Sequence, residues 1–306
     1  MTLTELRYMI ALAKELHFGK AAKVCHISQP TLSVAINKLE SELGVALFER
    51  DRNDLRLTTL GEQIVEQAKL TLAEAERIKD IAQANKSQIN TPLKLGAIFT
   101  IAPYLFPNLI PQLTKTAPEM PLMIQEDFTA NLRTKLLNGS LDAIFISLPF
   151  SAPGVVTQPI YDESFVVLMR KSHPLSQKES ITETDLINEK ILLLGEGHCF
   201  REQVMEACPH CYQAGDTQNI IEGTSLETLR HIVASGLGIT ILPNTATQID
   251  FYKSILCIRP FAGSPPRRRI ALAWRVSFTR TKAINAIVQA LRAIQIEGTF
   301  LLPEQN

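Results

Sequence analysis

The first sixty residues repeat apolar side chains with a helical period in three short, successive segments. The repeat steps are three and four residues over 3–13, and a second segment runs on to Val24. A third segment begins at Ser28, whose hydroxyl can accept from free backbone amides, and Pro30 falls in its first turn, where a missing N–H group has no consequence. The period continues to Gly44, so the chain is predicted to begin with three helices and a tight connection before the third.

A strand-like segment, 45–48, and a basic, turn-rich segment, 50–58, follow the third helix. This order predicts a winged helix-turn-helix whose third helix enters the major groove of DNA by its N-terminal end. Gln29 and Thr31 would meet base edges, while the basic side chains would neutralise phosphates. The candidate DNA contacts are Gln29, Pro30, Thr31, Ser33, Asn37, Lys38, Arg50 and Arg52. From the period alone, a plain three-helix scaffold with a solvated polar face is also open.

The overall composition limits the possible functions only weakly. Because 31 basic and 31 acidic residues cancel, only local patches can argue for nucleic-acid binding. A length of 306 residues, 45% of them hydrophobic, predicts two or three globular units. The first fifteen residues carry four charges and no apolar run approaches eighteen residues, so we expect a cytoplasmic protein without a signal peptide or membrane span.

Five segments of the N-terminal region keep fixed spacings over some sixty residues. They are Phe-Gly-Lys-Ala-Ala at 18–22, His-Ile-Ser-Gln-Pro-Thr-Leu-Ser at 26–33, Ile-Asn-Lys-Leu-Glu at 36–40, Leu-Gly-Val-Ala-Leu-Phe-Glu-Arg at 43–50 and Leu-Thr-Thr-Leu-Gly-Glu at 57–62. Together these segments resemble the winged helix-turn-helix of LysR-type transcriptional regulators. The resemblance implies sequence-specific DNA binding.

Beyond Gly61, small and apolar residues alternate four- and three-residue steps, as in the seam of a short coiled coil. The seam positions are Ile64, Ala68, Thr71, Ala75, Ile78 and Ala82. We expect this helix to pair two subunits, which would present two recognition helices to a roughly palindromic site. Pro92 then predicts a hinge. The predicted domains are a DNA-binding domain at 1–58, a linker and dimerisation helix at 59–90, and a regulatory domain at 91–306.

From residue 93 onward, strand-like runs alternate with helical segments, which predicts α/β architecture. Strands are predicted at 93–98, 122–128, 141–148, 165–170, 191–194, 239–242 and 269–274, and helices at 132–138 and 226–235. Thr-Ser-Leu-Glu at 224–227 predicts a capping box for the last helix, and Gly236 and Gly238 are placed to end it. The LysR resemblance implies two α/β subdomains similar to periplasmic binding proteins, with an effector cleft between them.

Three of the five cysteines, Cys199, Cys208 and Cys211, lie within thirteen residues. In a reducing compartment such a cluster indicates redox or metal chemistry. Cys199 follows a strand and begins a helical segment, where the helix dipole and the neighbouring His198 and Arg201 would each favour a thiolate. We therefore expect a lowered pKa for the Cys199 thiol. An inert, half-buried cysteine is the alternative.

The cysteine segment Gly-His-Cys at 197–199 precedes Cys208 by nine residues and is followed by Thr-Ser-Leu-Glu-Thr-Leu-Arg at 224–230 and Gly-Ile-Thr at 238–240. These features resemble the OxyR subfamily of LysR-type regulators, the hydrogen-peroxide sensors, over essentially the whole chain. The resemblance implies that peroxide oxidises Cys199 to a sulfenic acid, which condenses with Cys208 in a reversible disulfide.

The same resemblance implies a set of peroxide contacts, and other interpretations of them stay open. The contacts are Thr100, Thr129, His198 and Arg268. Threonine is also favoured as a helix cap after a strand. Arg268 belongs to a run of three arginines, which fits a solvated charge run as well.

A helix between the two cysteines would couple oxidation to structure. Nine steps of about 1.5 Å separate their Cα atoms by roughly 13 Å. A disulfide needs them within about 7 Å. Closing the bond would therefore unwind or bend the segment and could re-space the recognition helices on DNA.

Cys211 follows Cys208 at CxxC spacing and is a second possible resolving thiol. Cys-Pro-His-Cys at 208–211 also resembles a thiol-disulfide oxidoreductase motif, although it does not follow the first strand of a thioredoxin-like unit. The ligand types of a zinc site are present in His198, Cys199, Cys208, His210 and Cys211. With one CxxC pair only, we expect no metal and no cofactor. Cys25 and Cys257 are expected to be small buried core residues.

The sequence thus predicts a transcription regulator, not an enzyme, that hydrogen peroxide activates through a Cys199–Cys208 disulfide and that controls oxidative-stress genes. Expected partners are double-stranded DNA at palindromic promoter sites, hydrogen peroxide, RNA polymerase, a thiol reductant system, and further copies of the chain in a dimer or tetramer; no membrane is expected. Two rivals remain. One is a LysR-type regulator that binds a small metabolite in the cleft, and the other is a thiol peroxidase or oxidoreductase, which would have no reason to carry a recognition helix.

Overall fold

The computed structural model describes residues 1–51, 54–84, 89–209, 222–247 and 252–303. Packing divides the chain into an N-terminal unit and a larger C-terminal unit. No helix in these ranges is both long and apolar enough to span a bilayer. Three residues of the sequence predictions, Arg52, His210 and Cys211, lie outside the described ranges.

In the described residues the N-terminal unit consists of four helices and an antiparallel strand pair. Its elements are α1 (Leu3–Glu15), α2 (Phe18–Val24), α3 (Gln29–Leu43), β1 (Phe48–Asp51), β2 (Asp54–Leu57) and α4 (Thr59–Ala84). Leu12 and Leu32 are fully buried in its core. The Ser28 hydroxyl accepts from the Thr31 amide at 3.3 Å and so caps α3, and Gly44 ends that helix in the left-handed region. The predicted winged helix-turn-helix is confirmed.

Helix α4 uses its seam residues differently from the coiled-coil prediction. Ala68 lies in the core of the N-terminal unit and Ile64 packs against that core, whereas Thr71 and Ile78 are exposed. The prediction that all six seam positions face a second subunit is therefore wrong for Ile64 and Ala68. The apolar residues in the first turns of α4 pack inside the N-terminal unit. The sequence could not show this, because a helix that packs on its own chain and a helix in a coiled coil repeat apolar residues with nearly the same period.

The C-terminal unit is built on a mixed sheet with helices packed on it. Its strands are β3 (Leu93–Ile98), β4 (Leu122–Asp127), β5 (Ala143–Ser147), β6 (Val155–Arg170), β7 (Ile191–Leu194), β8 (Glu222–Gly223), β9 (Ile239–Pro243), β10 (Leu256–Pro260), β11 (Arg267–Arg275) and β12 (Thr299–Leu301). Its helices are α5 (Ala102–Thr116), α6 (Thr129–Leu137), α7 (Glu183–Leu186), α8 (Cys199–Ala207), α9 (Leu226–Ala234) and α10 (Thr281–Ala293). Hydrogen-bonded neighbours run β4, β3, β5, β11, β6, β9, β7, β8, and β10 and β12 also pair with β6.

The long strand β6 belongs to two hydrophobic cores in this unit. Its residues 155–164 pair with β11, and 165–168 pair with β9. The first core includes Phe145 of β5 and Ile287 of α10. The second includes Phe200 of α8 and Val233 of α9. Each part contains parallel pairs, such as β3 with β4 and β7 with β9, beside antiparallel pairs such as β5 with β11 and β6 with β9. The α/β prediction is confirmed, and each core belongs to one subdomain.

Two local predictions need correction. The strand expected at 165–170 runs from Val155 to Arg170 and is sixteen residues long. Its first half pairs with β11 through a register shift between Ile270 and Ala271. Such an irregularity interrupts the apolar–polar alternation by which a strand is recognised in a sequence. The capping box expected at 224–227 does not form. Ser225 is the N-cap and accepts from the Thr228 amide, which leaves Glu227 free of that role.

Candidate functional site

A recess opens where the carboxyl ends of two strands meet the start of α8. Because β3 and β4 are parallel neighbours, the chain leaves the sheet after each of them at the same edge. The recess is lined by Ile98, Phe99, Thr100, Asp127, Phe128, Thr129, Gly197, His198 and Cys199. It has room for a molecule about the size of water. Four predicted site residues from three distant segments of the chain, Thr100, Thr129 and the adjacent His198 and Cys199, therefore share one small site.

The two candidate redox cysteines stand at opposite ends of α8. Cys199 is the first residue of the helix, and Cys208 is its C-cap, which confirms the predicted helical segment. Nine residue steps of about 1.5 Å place the two Cα atoms roughly 13 Å apart. Cys199 packs against the first core, while Cys208 is buried in the second. The Cys199 side chain is a free thiol.

Burial raises the pKa of the Cys199 thiol, against the expectation of a lowered one. The Arg268 guanidinium and the Thr129 hydroxyl both oppose this shift and are outweighed. Arg201, expected to favour the thiolate, instead donates to the Leu194 carbonyl at 2.8 Å and pairs with Glu222 at 2.5 Å. The prediction of a low-pKa thiol is wrong because loss of water around the sulfur exceeds the attraction of nearby positive charge.

His198 is held in an aromatic environment and is not a source of positive charge. Its ring lies 4.8 Å from the Phe128 ring centroid and 5.8 Å from that of Phe99, edge-on to both. Burial lowers the pKa of His198, and the Thr224 backbone opposes the shift only in part. At neutral pH the imidazole is therefore uncharged and available for hydrogen bonding. The expectation that its charge favours the Cys199 thiolate is wrong.

Arg268 is buried, so the interpretation of a solvated charge run is wrong for this residue. It is 3% exposed and donates to both the hydroxyl and the carbonyl of Thr100, each at 2.8 Å. Arg267 and Arg269, its neighbours on β11, are exposed. Since successive side chains of a strand point to opposite faces, only the middle arginine of the run reaches the interior.

The two threonines do not cap helices. Thr100 is buried, and the N-cap of α5 is Ile101, which makes no side-chain cap hydrogen bond. Thr129 is the first residue of α6, and its buried hydroxyl has no hydrogen-bond partner among the oxygen and nitrogen atoms of the described residues. The neighbour of that hydroxyl is the Cys199 thiol. The capping interpretation is wrong for both residues.

The described part of the chain holds no group of three metal-ligating side chains. Of the residues named for zinc, His210 and Cys211 lie outside it. Cys25 is half-buried at the C-cap of α2, outside the helix proper, and Cys257 is half-buried in β10. Both were expected to be buried core residues, so that expectation is met only in part.

The exposed face of α3 carries most of the candidate DNA contacts. Gln29, Pro30, Thr31, Asn37 and Lys38 are exposed, and Ser33 is half-buried. The Lys38 ammonium is not free in solvent, since it donates to the Glu5 carboxylate of α1 at 2.8 Å. Arg50 lies in β1, where the backbone alone is described. Val34, on the same helix, is 67% exposed.

Two family models match the chain. One is described as a bacterial regulatory helix-turn-helix protein of the LysR family and matches residues 3–62. The other is the LysR substrate binding domain, which matches residues 86–295 and so covers more than half of the chain. The chain belongs to the LysR family.

Relatives of this LysR-family protein are OxyR proteins. The DNA-binding transcriptional dual regulator OxyR of Escherichia coli strain K12 is 36% identical over 301 residues, which are 98% of this chain and 97% of that protein. A full-length OxyR from Pseudomonas aeruginosa, with aspartate in place of one cysteine, is 51% identical with a TM-score of 0.80 and covers 100% of this chain and 99% of its own. A hydrogen-peroxide-bound cysteine-to-serine variant of OxyR from Corynebacterium glutamicum is 32% identical with a TM-score of 0.63, over 95% and 91% of the two chains.

Sequence reasoning missed two features of this LysR-family site. The aromatic walls, Phe99 and Phe128, each directly precede a threonine of the recess, and each is the first residue after a strand, β3 or β4. That position in the sequence could have indicated them. The buried carboxylate that pairs with Arg268 belongs to Glu163. No local signal marks Glu163, because it follows another carboxylate, that of Asp162, and nothing in the sequence shows which of the two is buried.

Proposed function

We propose that this LysR-family protein senses hydrogen peroxide at Cys199 and converts its oxidation into a change in DNA binding. The observation that supports the proposal is the recess, where the Cys199 thiol adjoins a buried Thr129 hydroxyl that has no other partner in the described residues. Space for a molecule about the size of water suits peroxide. Relatives named hydrogen peroxide-inducible genes activator and the peroxide-bound OxyR variant of Corynebacterium glutamicum support the same ligand.

In the proposed first step, the Cys199 sulfur attacks one oxygen of peroxide. The S–O bond forms as the O–O bond breaks, and the thiol proton ends on the departing oxygen, so that the products are a sulfenic acid and water. Charge develops on the departing oxygen and needs nearby donors. Thr129 offers its hydroxyl, and Thr100 offers its proton because its oxygen already accepts from Arg268. Neutral His198 would donate or accept beside them.

In the second step, the Cys208 sulfur attacks the sulfenic sulfur. The S–S bond forms, the S–O bond breaks, and a second water leaves, so two electrons have passed from two thiols to one peroxide. Because roughly 13 Å of helix separates the Cα atoms and a disulfide requires less than about 7 Å, α8 must unwind and Cys208 must leave the second core. Cys211 is the alternative resolving thiol. A thiol reductant system returns the two electrons and resets the switch.

The proposed DNA contacts, domains and partners follow if the protein is a regulator that recognises a DNA sequence. The proposed DNA contacts are Gln29, Pro30, Thr31, Ser33, Asn37, Lys38, Arg50 and Arg52. We propose domains at 1–58, 59–90 and 91–306, assembly of two or four copies on a palindromic promoter site, and contact with RNA polymerase in the cytoplasm. Without an external reductant the protein turns over no substrate, so it is a switch and not an enzyme. A LysR-type regulator that binds a small metabolite in the cleft between the subdomains is the alternative, and its DNA binding would not respond to oxidation of Cys199.

Peptide mapping by mass spectrometry, after about one equivalent of hydrogen peroxide, tests the proposal on the reduced full-length chain. We expect a Cys199–Cys208 or Cys199–Cys211 linkage within seconds and a changed DNA footprint. Cys199→Ser should abolish both results, whereas Cys25→Ala and Cys257→Ala, which alter half-buried cysteines outside the recess, should leave them intact. Persistence of the footprint change in Cys199→Ser would refute peroxide sensing at this residue.

A further inference from the structure

A buried ion pair stands behind the recess. Glu163 on β6 and Arg268 on β11 are register partners, and both side chains are 0% exposed. Arg268 Nε donates to Glu163 Oε1 at 2.6 Å, and the Thr245 hydroxyl donates to Glu163 Oε2 at 2.6 Å. Each carboxylate oxygen therefore has a partner, which is the condition under which a buried charge is tolerated.

The neighbouring register pair shows that the sheet itself does not require a buried charge. Asp162 and Arg269, one residue along the same two strands, form a cross-strand ion pair at 2.7 Å in which Arg269 is exposed and Asp162 is half-buried. Burying two charges costs more than exposing them, and replacement of buried pairs by apolar residues is often neutral or stabilising. A role beyond strand pairing is therefore indicated for Glu163 and Arg268.

Arg268 links this pair to the reacting sulfur. It donates to Thr100, which lines the recess. Its guanidinium lies 4.9 Å from the ring centroid of Phe200, the residue that follows Cys199 in α8. The charge of Arg268 also opposes the rise in the pKa of the Cys199 thiol that burial causes. The position and net charge of this one guanidinium therefore act on both the donor hydroxyl and the sulfur.

We propose that Glu163 is a positioning residue that sets the reactivity of Cys199, by compensating the charge of Arg268 and holding its guanidinium against Thr100. As a statement about the reaction of Cys199 with peroxide, this inference rests on the proposed function. As a statement about the reaction of Cys199 with an alkylating reagent, it does not require peroxide sensing. Glu163 acts through Arg268 and does not line the recess.

Replacement of Glu163 by glutamine removes the negative charge of the side chain and keeps its size and shape. The amide oxygen can still accept from Arg268, and Thr100 still accepts two hydrogen bonds from it, so the guanidinium keeps its place without a counter-charge. The other titratable groups near the sulfur are Glu202, neutral His198 and Asp127, which pairs with Lys135 at 2.5 Å. Tyr161 lies near the pair, and burial raises its pKa far above neutrality. The Cys199 thiol is then the group that the uncompensated cation drives to ionise.

The experiment measures alkylation of Cys199 by iodoacetamide against pH in the full-length reduced protein, with peptide-resolved mass spectrometry. We expect Glu163→Gln to move the midpoint of the profile down by about one pH unit, which makes alkylation near neutral pH roughly tenfold faster. Glu163→Asp keeps the charge and should restore the original profile. Asp162→Asn removes the half-buried carboxylate of the neighbouring pair and should leave the profile unchanged.

An unchanged profile, or a shift to higher pH, in folded Glu163→Gln protein would overturn the proposal, since either means that Glu163 does not compensate a charge felt by Cys199. If circular dichroism shows that this variant does not fold, Thr245→Val replaces it. That variant removes one neutral donor from the Glu163 carboxylate, so the negative charge is less screened and the profile should shift to higher pH, by less than about one unit; no shift, or a shift to lower pH, would refute the idea. If the alkylation profile shifts in Glu163→Gln but peroxide does not oxidise Cys199 in the wild-type protein, this inference is supported and the proposed function is refuted.

Discussion

Helices α3 and α8 both carry candidate functional residues at their N-terminal ends, but they are stabilised in different ways. α3 has fifteen residues, a Ser28 cap and a left-handed Gly44 at its end. α8 has nine residues, and His198 at its N-cap makes no side-chain cap hydrogen bond. Short helices without caps depend on tertiary packing for their stability. The comparison indicates that α3 is stabilised by its own caps and length, whereas the stability of α8 depends on the packing of its buried face.

The largest effect is expected in the recess at the start of α8. Thr129→Val keeps the shape of the side chain and removes the hydroxyl beside Cys199. Loss of one donor to a developing oxyanion slows a reaction by about 100-fold, so we expect oxidation of Cys199 by peroxide to slow by one to two orders of magnitude. Rapid-mixing kinetics with mass-spectrometric detection measures this rate. Thr134→Val on the exposed face of α6 is the control, and equal rates in both variants would remove the proposed role of Thr129.

The next effect concerns the exposed face of α3. Gln29→Ala removes a side chain that is expected to read a base edge, and such a contact discriminates between bases by about 1–3 kcal/mol. We expect affinity for the preferred site to fall while affinity for unrelated DNA is retained. Binding titrations on both DNAs at two salt concentrations measure this. Arg52→Ala, which removes an expected phosphate contact, should instead weaken binding to both DNAs and flatten the salt dependence. A loss of equal size on both DNAs from Gln29→Ala would contradict base reading.

A smaller effect tests the stability of α8 itself. Met205 is 37% exposed in this helix, and glycine in an exposed helix interior costs about 1 kcal/mol. If the oxidised segment is unwound, Met205→Gly penalises only the reduced state, and the disulfide should be favoured about fivefold more. Equilibration in glutathione buffers measures this ratio. Met205→Ala restores helix propensity and should not favour the disulfide, so an equal shift in both variants would mean that helix stability does not control the switch.

The smallest effect is a pH dependence at α3. The Lys38 ammonium and the Thr2 hydroxyl hold the pKa of Glu5 at about 2, below its ordinary value of 4.5. A depressed carboxyl pKa contributes stability above the ordinary value, and that contribution disappears as pH falls from 4.5 toward 2. Lys38→Met should therefore lower the free energy of unfolding at pH 6 and leave it unchanged near pH 2. Urea titrations followed by circular dichroism compare it with Lys23→Met, an exposed position on α2. The same pH dependence in both proteins would exclude a contribution from the pair.

Several parts of the fold could be predicted from the sequence because they depend on near neighbours. The Ser28 cap and the helical period identify α3, and the helical run after Cys199 appears as α8. Predictions failed where two different structures produce the same pattern of apolar residues in the sequence. The stripe on α4 has the period of a coiled coil, yet Ile64 and Ala68 pack within the same chain. Roles assigned by resemblance, such as the pairing of Cys199 with Cys208, remain proposals.

The sequence by itself determined the elements, the order in which they follow one another and the residue types near Cys199, because capping, turn chemistry and periodicity act over a few residues. The tertiary structure alone decided which of three adjacent arginines is buried, that Glu163 pairs with Arg268, and that the pKa of Cys199 is raised and not lowered. These outcomes depend on which strands become neighbours and on how much water remains around each charge. Both quantities arise only when segments distant in the chain are packed together.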